Sequence, residues 1–351
     1  MKSRRHRGVL RDDELLMQVG AESRIDGSGS IDDLGLQVHD EEVVSRVLIL
    51  LSTYNGAAYL HQQLQSLSAQ THTDWIVYWR DDGSSDGTVG IMSEFAATVG
   101  DHRFVRVSEP TGRLWPTASF IALLQAALPA MGAADCVAFA DQDDVWLPDK
   151  LARGVKALAG ADVKAPTLYC ARLAVVDANL RLSRATTITQ RGAGFPAALT
   201  QNIATGCTVM LNGSAAKLIA SSVLPCGTFH DWWSYLLVTA AGGRVLVDET
   251  VVALYRQHGS NFVGVPASQS RRAVAALERG PIAFMNLLRQ HVQALVSRPD
   301  LVTEHNYRVL MRIHDALQAN VLKKLAALCL PGLRRQGRLE TLLFRIWFLI
   351  G

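Results

Sequence analysis

The chain has 351 residues, 49% of them apolar, with 35 Lys and Arg against 32 Asp and Glu. That length can bury a substantial core, and a net charge of +3 is too small to imply a nucleic-acid partner. Five cysteines with no CxxC pair exclude a zinc site or disulfide framework, fit a reducing compartment, and are expected to be small core residues.

The basic start MKSRRHRGVLR is followed by polar and acidic sequence rather than an apolar signal core, so no secretory leader is expected. Residues 1–44 are rich in Gly, Ser and Asp and are expected to form a mobile arm. The folded part begins at Arg46 with RVLILLST, an unbroken apolar run of the kind that is covered on both faces in a parallel sheet. After Tyr54, Asn55 and Gly56 comes a helical pattern in which Leu60, Leu64 and Leu67 share a face. WIVYWR is the second strand, ended by DDGSSDGT, where Asp86 can open a helix through Phe95. HRFVRVSE supplies a third strand, LWPTASFIALLQAAL a helix and DCVAFAD a fourth strand. Strands alternating with helices imply βαβ crossovers and a mostly parallel sheet over residues 46–150. Beyond it, Leu168–Val176 and Ala204–Leu211 are expected strands, Asp231–Ala241 a helix, RVLVDETVVALYRQH a strand pair, and everything from about residue 267 helical.

Three polar clusters fall at the carboxyl ends of predicted strands: Thr53 to Gly56, Asp81 to Thr88, and Asp141 to Asp144. In an open parallel sheet those ends share one ligand-binding crevice. Asp141 and Asp143, two apart, can address one hard cation, and Mg²⁺ or Mn²⁺ prefers oxygen ligands. A solvated acidic turn is the alternative for such a DxD taken alone.

The combination of LLSTYNGAAYLHQQLQSLSAQT, DDGSSDGT, DQDDVWLPDK and HDWW resembles glycosyltransferase family 2, and ADQDDVWLPDKL, HDWW and YRQHGSN resemble its rhamnosyltransferase branch. The resemblance covers roughly residues 46–264. It implies an α/β GT-A fold, a Rossmann-like mostly parallel sheet flanked by helices, divided into a nucleotide-binding half (45–150), an acceptor half (151–265) and a C-terminal helical extension (266–351). It also implies an inverting enzyme that moves one sugar from a nucleotide-diphospho-sugar to a bacterial surface polysaccharide or lipid-linked glycan, with Mg²⁺ or Mn²⁺ as cofactor. The rhamnosyl branch implies dTDP-L-rhamnose, with a UDP-hexose donor as the alternative.

By position, the resemblance gives Thr53, Tyr54 and Asn55 to the nucleotide pocket, with Asp82 accepting from the base N3–H and Asp81 supporting it. Asp141 contacts ribose or metal, Asp143 ligates the metal, and His258 completes the site unless it is a structural histidine. Asp231 is the expected general base, opening the helix of FHDWWSYLL where the dipole favours a carboxylate; a plain N-cap is the alternative. Gly206, Trp232 and Trp233 fall on the acceptor side, although adjacent helical tryptophans cannot face the same way. Asp144 and Trp146 are expected to fix the loop.

The tail KKLAALCLPGLRRQGRLETLLFRIWFLIG mixes Lys323, Lys324, Arg334, Arg335, Arg338 and Arg345 with Leu, Phe and Trp, as an in-plane helix on an anionic membrane would. An ordinary helical subdomain or an oligomer contact has the same pattern. A cytoplasmic enzyme touching the inner face of the plasma membrane is expected. A nucleotidyltransferase would need a Gly- and Arg-rich loop where this chain has TYNGAAY, a non-catalytic sugar-nucleotide-binding protein would not need Asp231, and no QxxRW marks a processive synthase.

Overall fold

A computed structural model describes residues 45–188, 193–259 and 269–351, with the backbone alone for 269–279. The arm expected at 1–44, and the boundary near residue 265, lie outside the described residues.

The parallel half forms as the apolar runs dictate. β1 (Val47–Thr53) lies between β2 (Trp75–Asp81) and β4 (Cys136–Ala140), both parallel to it, and β3 (Phe104–Arg106) extends the β2 edge. Because β2 and β4 flank β1 on opposite sides, the chain changes winding direction at the carboxyl end of β1, where a crevice must open. Helices α1 (Leu60–Ser68), α2 (Thr88–Val99) and α3 (Trp115–Ala127) make the crossovers.

Beyond β4 the sheet is mixed. Its order across the described residues is β3-β2-β1-β4-β8-β6-β9-β5, with β7 (Leu182–Ala185) on β6. Here β5 is Val145–Trp146, β6 Thr167–Val176, β8 Met210–Asn212 and β9 Arg244–Arg256, and helices α4 (Lys150–Ala159), α5 (Gly213–Ala220) and α6 (His230–Ala240) pack around them.

Two expected elements differ. The strand placed at Ala204–Leu211 shortens to β8, because Gly206–Thr208 close a tight turn in which Thr208 N–H bonds to the Thr205 carbonyl and Val209 N–H to that of Gly206. The strand pair at residues 244–258 is a single strand: Glu249 and Thr250 bulge from its pairing with β6 while Asp248 Oδ1 accepts from Thr250 N–H, so the chain bends without reversing.

The pleat of β1 explains the core. Val47, Ile49 and Leu51 pack on α1, α2 and α4, whereas Leu48 and Leu50 belong to a second cluster on the opposite face. That second cluster includes the C-terminal helices α7 (Gln269–Val296, broken at Gly280 and Pro281), α8 (Glu304–Leu317), α9 (Val321–Leu328) and α10 (Arg338–Ile350). The extension therefore shares the core of the sheet. Phe344, Trp347 and Phe348, three aromatics counted toward membrane contact in the sequence, are buried there; the outward residues of α10 are Leu339, Leu342, Ile346 and Ile350. No helix among the described residues is long and apolar enough to cross a membrane. Cys136, Cys170 and Cys207 are buried as expected, but Cys226 and Cys329 are exposed.

Candidate active site

A cavity of about 1030 Å³ opens at the carboxyl ends of β1, β2 and β4 and runs to the head of α6 and the inner face of α10. Thr53, Tyr54, Asn55, Asp82, Asp141, Asp143, Gly206, Asp231, Trp232 and His258 all line it. Asp81 and Trp233 stand behind the wall.

The first polar cluster is a scaffold built by mutual hydrogen bonding. Thr53, buried, donates from Oγ1 to Asp81 Oδ1 (2.8 Å) and accepts from Trp79 Nε1 (2.9 Å). The Asp81 carboxylate also takes the Gly83 and Ser84 amides and the Ser84 hydroxyl, fixing the turn whose Gly83 has φ 91°. Asn55 Oδ1 accepts from Ser85 N–H at 2.8 Å, tying the two loops together.

Asp82 lines the cavity and also holds a neighbouring loop. Its oxygens already take Arg80 Nη1, Leu114 N–H (2.7 Å) and Trp115 N–H (2.7 Å), and Arg80 also donates to the Pro110 and Gly112 carbonyls. An arginine and two amides on this carboxylate fix the 110–115 loop and use three of its roughly four acceptor sites, two of them on Oδ1. The loop so held carries Arg113, whose guanidinium lies 3.9 Å from the ring centroids of both Tyr54 and Trp115. That stack at the cavity mouth was not foreseen from the sequence.

The DQDD loop divides by direction. Asp141 faces the cavity, and no described residue hydrogen-bonds to it. Burial, then the charges of Asp143 and Asp231, push its carboxyl up to about 7. Asp143 also faces the cavity, with His258 Nε2 2.8 Å from its Oδ2; the His258 ring stacks on Tyr59 at 4.5 Å. Asp144 is fully buried and accepts from Arg256 N–H and from the Cys207 thiol. Arg256, also buried, donates from Nε to the Asp143 carbonyl (2.8 Å) and so fastens the loop from below.

Asp141, Asp144 and Cys207 bring ligand atoms within 4.8 Å of one another. Burial holds the Asp144 carboxyl and the Cys207 thiol well above their ordinary values, and neither lines the cavity. Asp141 and Asp143 face it. Carboxylates from Asp141, Asp143 and Asp231 crowd one buried space, and this excess negative charge suits a divalent cation.

Asp231 lies in the first turn of α6 but is not its N-cap, which is Phe229. Its Oδ2 accepts from Gly206 N–H (3.0 Å), its Oδ1 from Trp232 N–H (2.6 Å), and the Asn202 side chain adds a further bond. Burial outweighs these bonds and lifts the carboxyl to about 6, so the expected stabilisation of the ionised form by the helix head is not the dominant effect. The result is a carboxyl that titrates closer to neutrality than an ordinary aspartate.

Gly206 explains how the groups come so close. A Cβ there would lie 3.0 Å from His230 Nε2 and 3.8 Å from Asp141 Oδ2. His230, which the sequence reading passed over, is buried between Phe120 (ring centroids 4.0 Å) and Phe139 (4.7 Å) and also lines the cavity. Trp232 lines the cavity, with Nε1 bonded to the Ala198 carbonyl, while Trp233 is core and bonds to Ser222 Oγ. The far wall comes from the C-terminal helices: Phe284, Leu287, Leu343 and Trp347, with Arg335 and Glu340 3.7 Å apart. Its signal in the sequence was Glu340, Leu343 and Trp347 at helical spacing.

Comparison with known proteins gives the geometry a family context. The model of "Glycosyl transferase family 2" matches residues 48–212. A "dTDP-rhamnosyl transferase RfbG" of Shigella flexneri is 24% identical over 225 residues, 62% of this chain and 75% of that protein. An "Uncharacterized glycosyltransferase alr2836" of a Nostoc strain is 27% identical over 250 residues, 67% of this chain and 72% of its own. Among solved structures, TarS of S. aureus, residues 1–349 in complex with UDP-GlcNAc, superposes with TM-score 0.53 at 14% identity, covering 77% of this chain and 72% of that one, a likeness of GT-A fold.

Proposed function

From the premise that the chain is a glycosyltransferase carrying a family 2 domain, we propose that it transfers a single sugar with inversion, L-rhamnose from dTDP-L-rhamnose, to a hydroxyl of a bacterial surface polysaccharide or lipid-linked glycan. The observation that carries this reading is Asp231. It stands at the head of α6, across the Gly206 gap from Asp141, with its carboxyl lifted to about 6. In the transfer the acceptor oxygen forms a bond to the anomeric carbon on the face opposite the diphosphate. The anomeric C–O bond breaks, its electron pair leaves with the nucleoside diphosphate, and Asp231 takes the hydroxyl proton. Hydrogen bonds from Gly206, Trp232 and Asn202 keep that carboxylate aimed as the proton arrives.

Asp141 and Asp143 would hold Mg²⁺ or Mn²⁺, with His258 fixing Asp143 through its 2.8 Å contact. The cation, when bound, neutralises charge on the departing diphosphate. The Tyr54, Arg113 and Trp115 stack gives an aromatic and cationic surface for the nucleotide. The likeness to a dTDP-rhamnosyl transferase supports the donor. The wall of Phe284, Leu343 and Trp347 beyond Trp232 supports an acceptor with apolar character, and the outward stripe of α10 supports peripheral contact with the inner face of the plasma membrane.

A donor panel of dTDP-rhamnose, UDP-hexoses and GDP-mannose, read by released nucleotide, tests the assignment. Wild type should turn over dTDP-rhamnose, and Asp231→Asn should fall about 10²- to 10⁴-fold with donor binding retained. Preference for a UDP-hexose would overturn the donor, and undiminished transfer by the variant would remove Asp231 as base.

A further inference from the structure

His230 is 6% exposed, lies against Phe120 and Phe139, and lines the cavity next to the base. Among the described residues neither Nδ1 nor Nε2 has a hydrogen-bond partner. Buried polar atoms are nearly always paired, because leaving one unpaired costs much of its desolvation. A packing role alone would be served better by phenylalanine, which fits the aromatic surroundings and has no polar atom to leave unsatisfied.

The direction of the ring is informative. Nε2 packs against the bare face of Gly206, 3.0 Å from where a Cβ would be; Asp141 Oδ2 is 3.8 Å from the same point, and the Gly206 amide is bonded to Asp231. A group seated in the cavity over the bare face of Gly206 lies beside the imidazole and the carboxylates of Asp141 and Asp231, since all four residues line the cavity. Burial keeps the ring neutral by holding its pKa down to about 3, so it presents one donor and one acceptor nitrogen. A hydroxyl, itself a donor and an acceptor, matches that pair, whereas a phosphate matches a cation better.

We propose that His230 is a specificity-determining residue that reads a hydroxyl of the transferred sugar where the cavity passes Gly206, Asp141 and Asp231. The inference rests on the glycosyltransferase reading and adds to it the part of the donor that His230 touches. The nucleotide is given to Tyr54, Arg113 and Trp115, so loss of His230 is expected to act on sugar recognition rather than on nucleotide binding.

Calorimetry with dTDP and with intact dTDP-rhamnose, on wild type and His230→Phe, tests it, with thermal unfolding measured on the same samples. The expected result is that dTDP binds both proteins equally, while the variant loses roughly 10- to 100-fold in affinity for the intact donor. The variant should also melt higher, by on the order of 2 °C, because the orphaned nitrogens are gone. A merely structural histidine would give a lower melting temperature and equal losses for dTDP and donor, and that outcome overturns the proposal. An unchanged preference for intact donor over dTDP in the variant overturns it as well. If His230→Phe is unfolded, His230→Gln, which keeps a donor and an acceptor, replaces it and should retain the donor preference; its loss of both ligands equally would again count against the role. Failure of wild type to bind any sugar nucleotide in the panel would instead defeat the glycosyltransferase donor assignment.

Discussion

Gln142 pairs with the peptide of Tyr54 as a strand would: its Oε1 accepts from Tyr54 N–H at 2.8 Å and its Nε2 donates to the Tyr54 carbonyl at 3.0 Å. The middle residue of DQD thereby joins the β1 loop to the carboxylate loop, and a Cβ on Gly56 would collide with it at 2.3 Å. Removing two such hydrogen bonds should let the loops move independently. Gln142→Ala is expected to weaken donor binding by about tenfold, read by calorimetry. An unchanged dissociation constant would mean that the clamp is redundant.

Gly206→Ala should be worse for turnover than for folding. The new methyl would crowd His230 Nε2 at 3.0 Å, and either the ring or the turn carrying the Asp231 bond must shift by a few tenths of an ångström. Turnover should drop by roughly tenfold or more, with only a small change in melting temperature. Steady-state kinetics beside a thermal melt separates the two effects.

The Asp231 carboxyl, lifted to about 6, must be ionised to accept a proton. Ionisation is half complete at that value, nearly complete a unit above it and lost as pH falls through it, so kcat/KM should fall to about half its plateau near pH 6. At pH 5 it should be about a tenth of its plateau. A flat profile from pH 5 to 8 would argue that another group takes the proton.

Chelation with EDTA should abolish transfer, and Mn²⁺ or Mg²⁺ should restore it. Asp143→Ala is expected to lose metal-dependent donor affinity, because it removes both a carboxylate facing the cavity and the partner of His258. Calorimetric metal titration gives the check: identical curves for wild type and variant would exclude Asp143 as a ligand.

Membrane contact, if it occurs, should use the outward face of α10, where Leu342 and Ile346 are 57% and 46% exposed beside Arg338 and Arg345. The double variant Leu342→Gln, Ile346→Gln should lower flotation with phosphatidylglycerol vesicles by about tenfold or more. Equal flotation of variant and wild type would assign binding to another surface.

What could be read in advance follows from the range of the physics involved. The apolar run of β1 and the helical spacing of Leu60, Leu64 and Leu67 are local patterns, and the structure buries them all. The convergence of strand-end clusters followed from the parallel sheet. Partnership was less local: Asp82 looked like an open carboxylate because Leu114 and Trp115 reach it from a distant loop, although Arg80 stands only two residues away. His230 was hidden for a similar reason, since its solitude depends on Phe120 and Phe139, contributed by other elements. The single bent β9 was read as two strands because a bulge and a turn use the same polar residues.

The shared core also bears on synthesis. One face of β1, at residues 48 and 50, belongs to the cluster that Phe344 and Phe348 complete nearly three hundred positions later. Chains emerge N-terminus first, and contacts of such separation form late. During translation α3 can cover part of that face through Phe120, Leu123 and Leu124 before β4 follows, but the cluster closes only when the last helices arrive, and the apolar surface they cover stays open to aggregation until then.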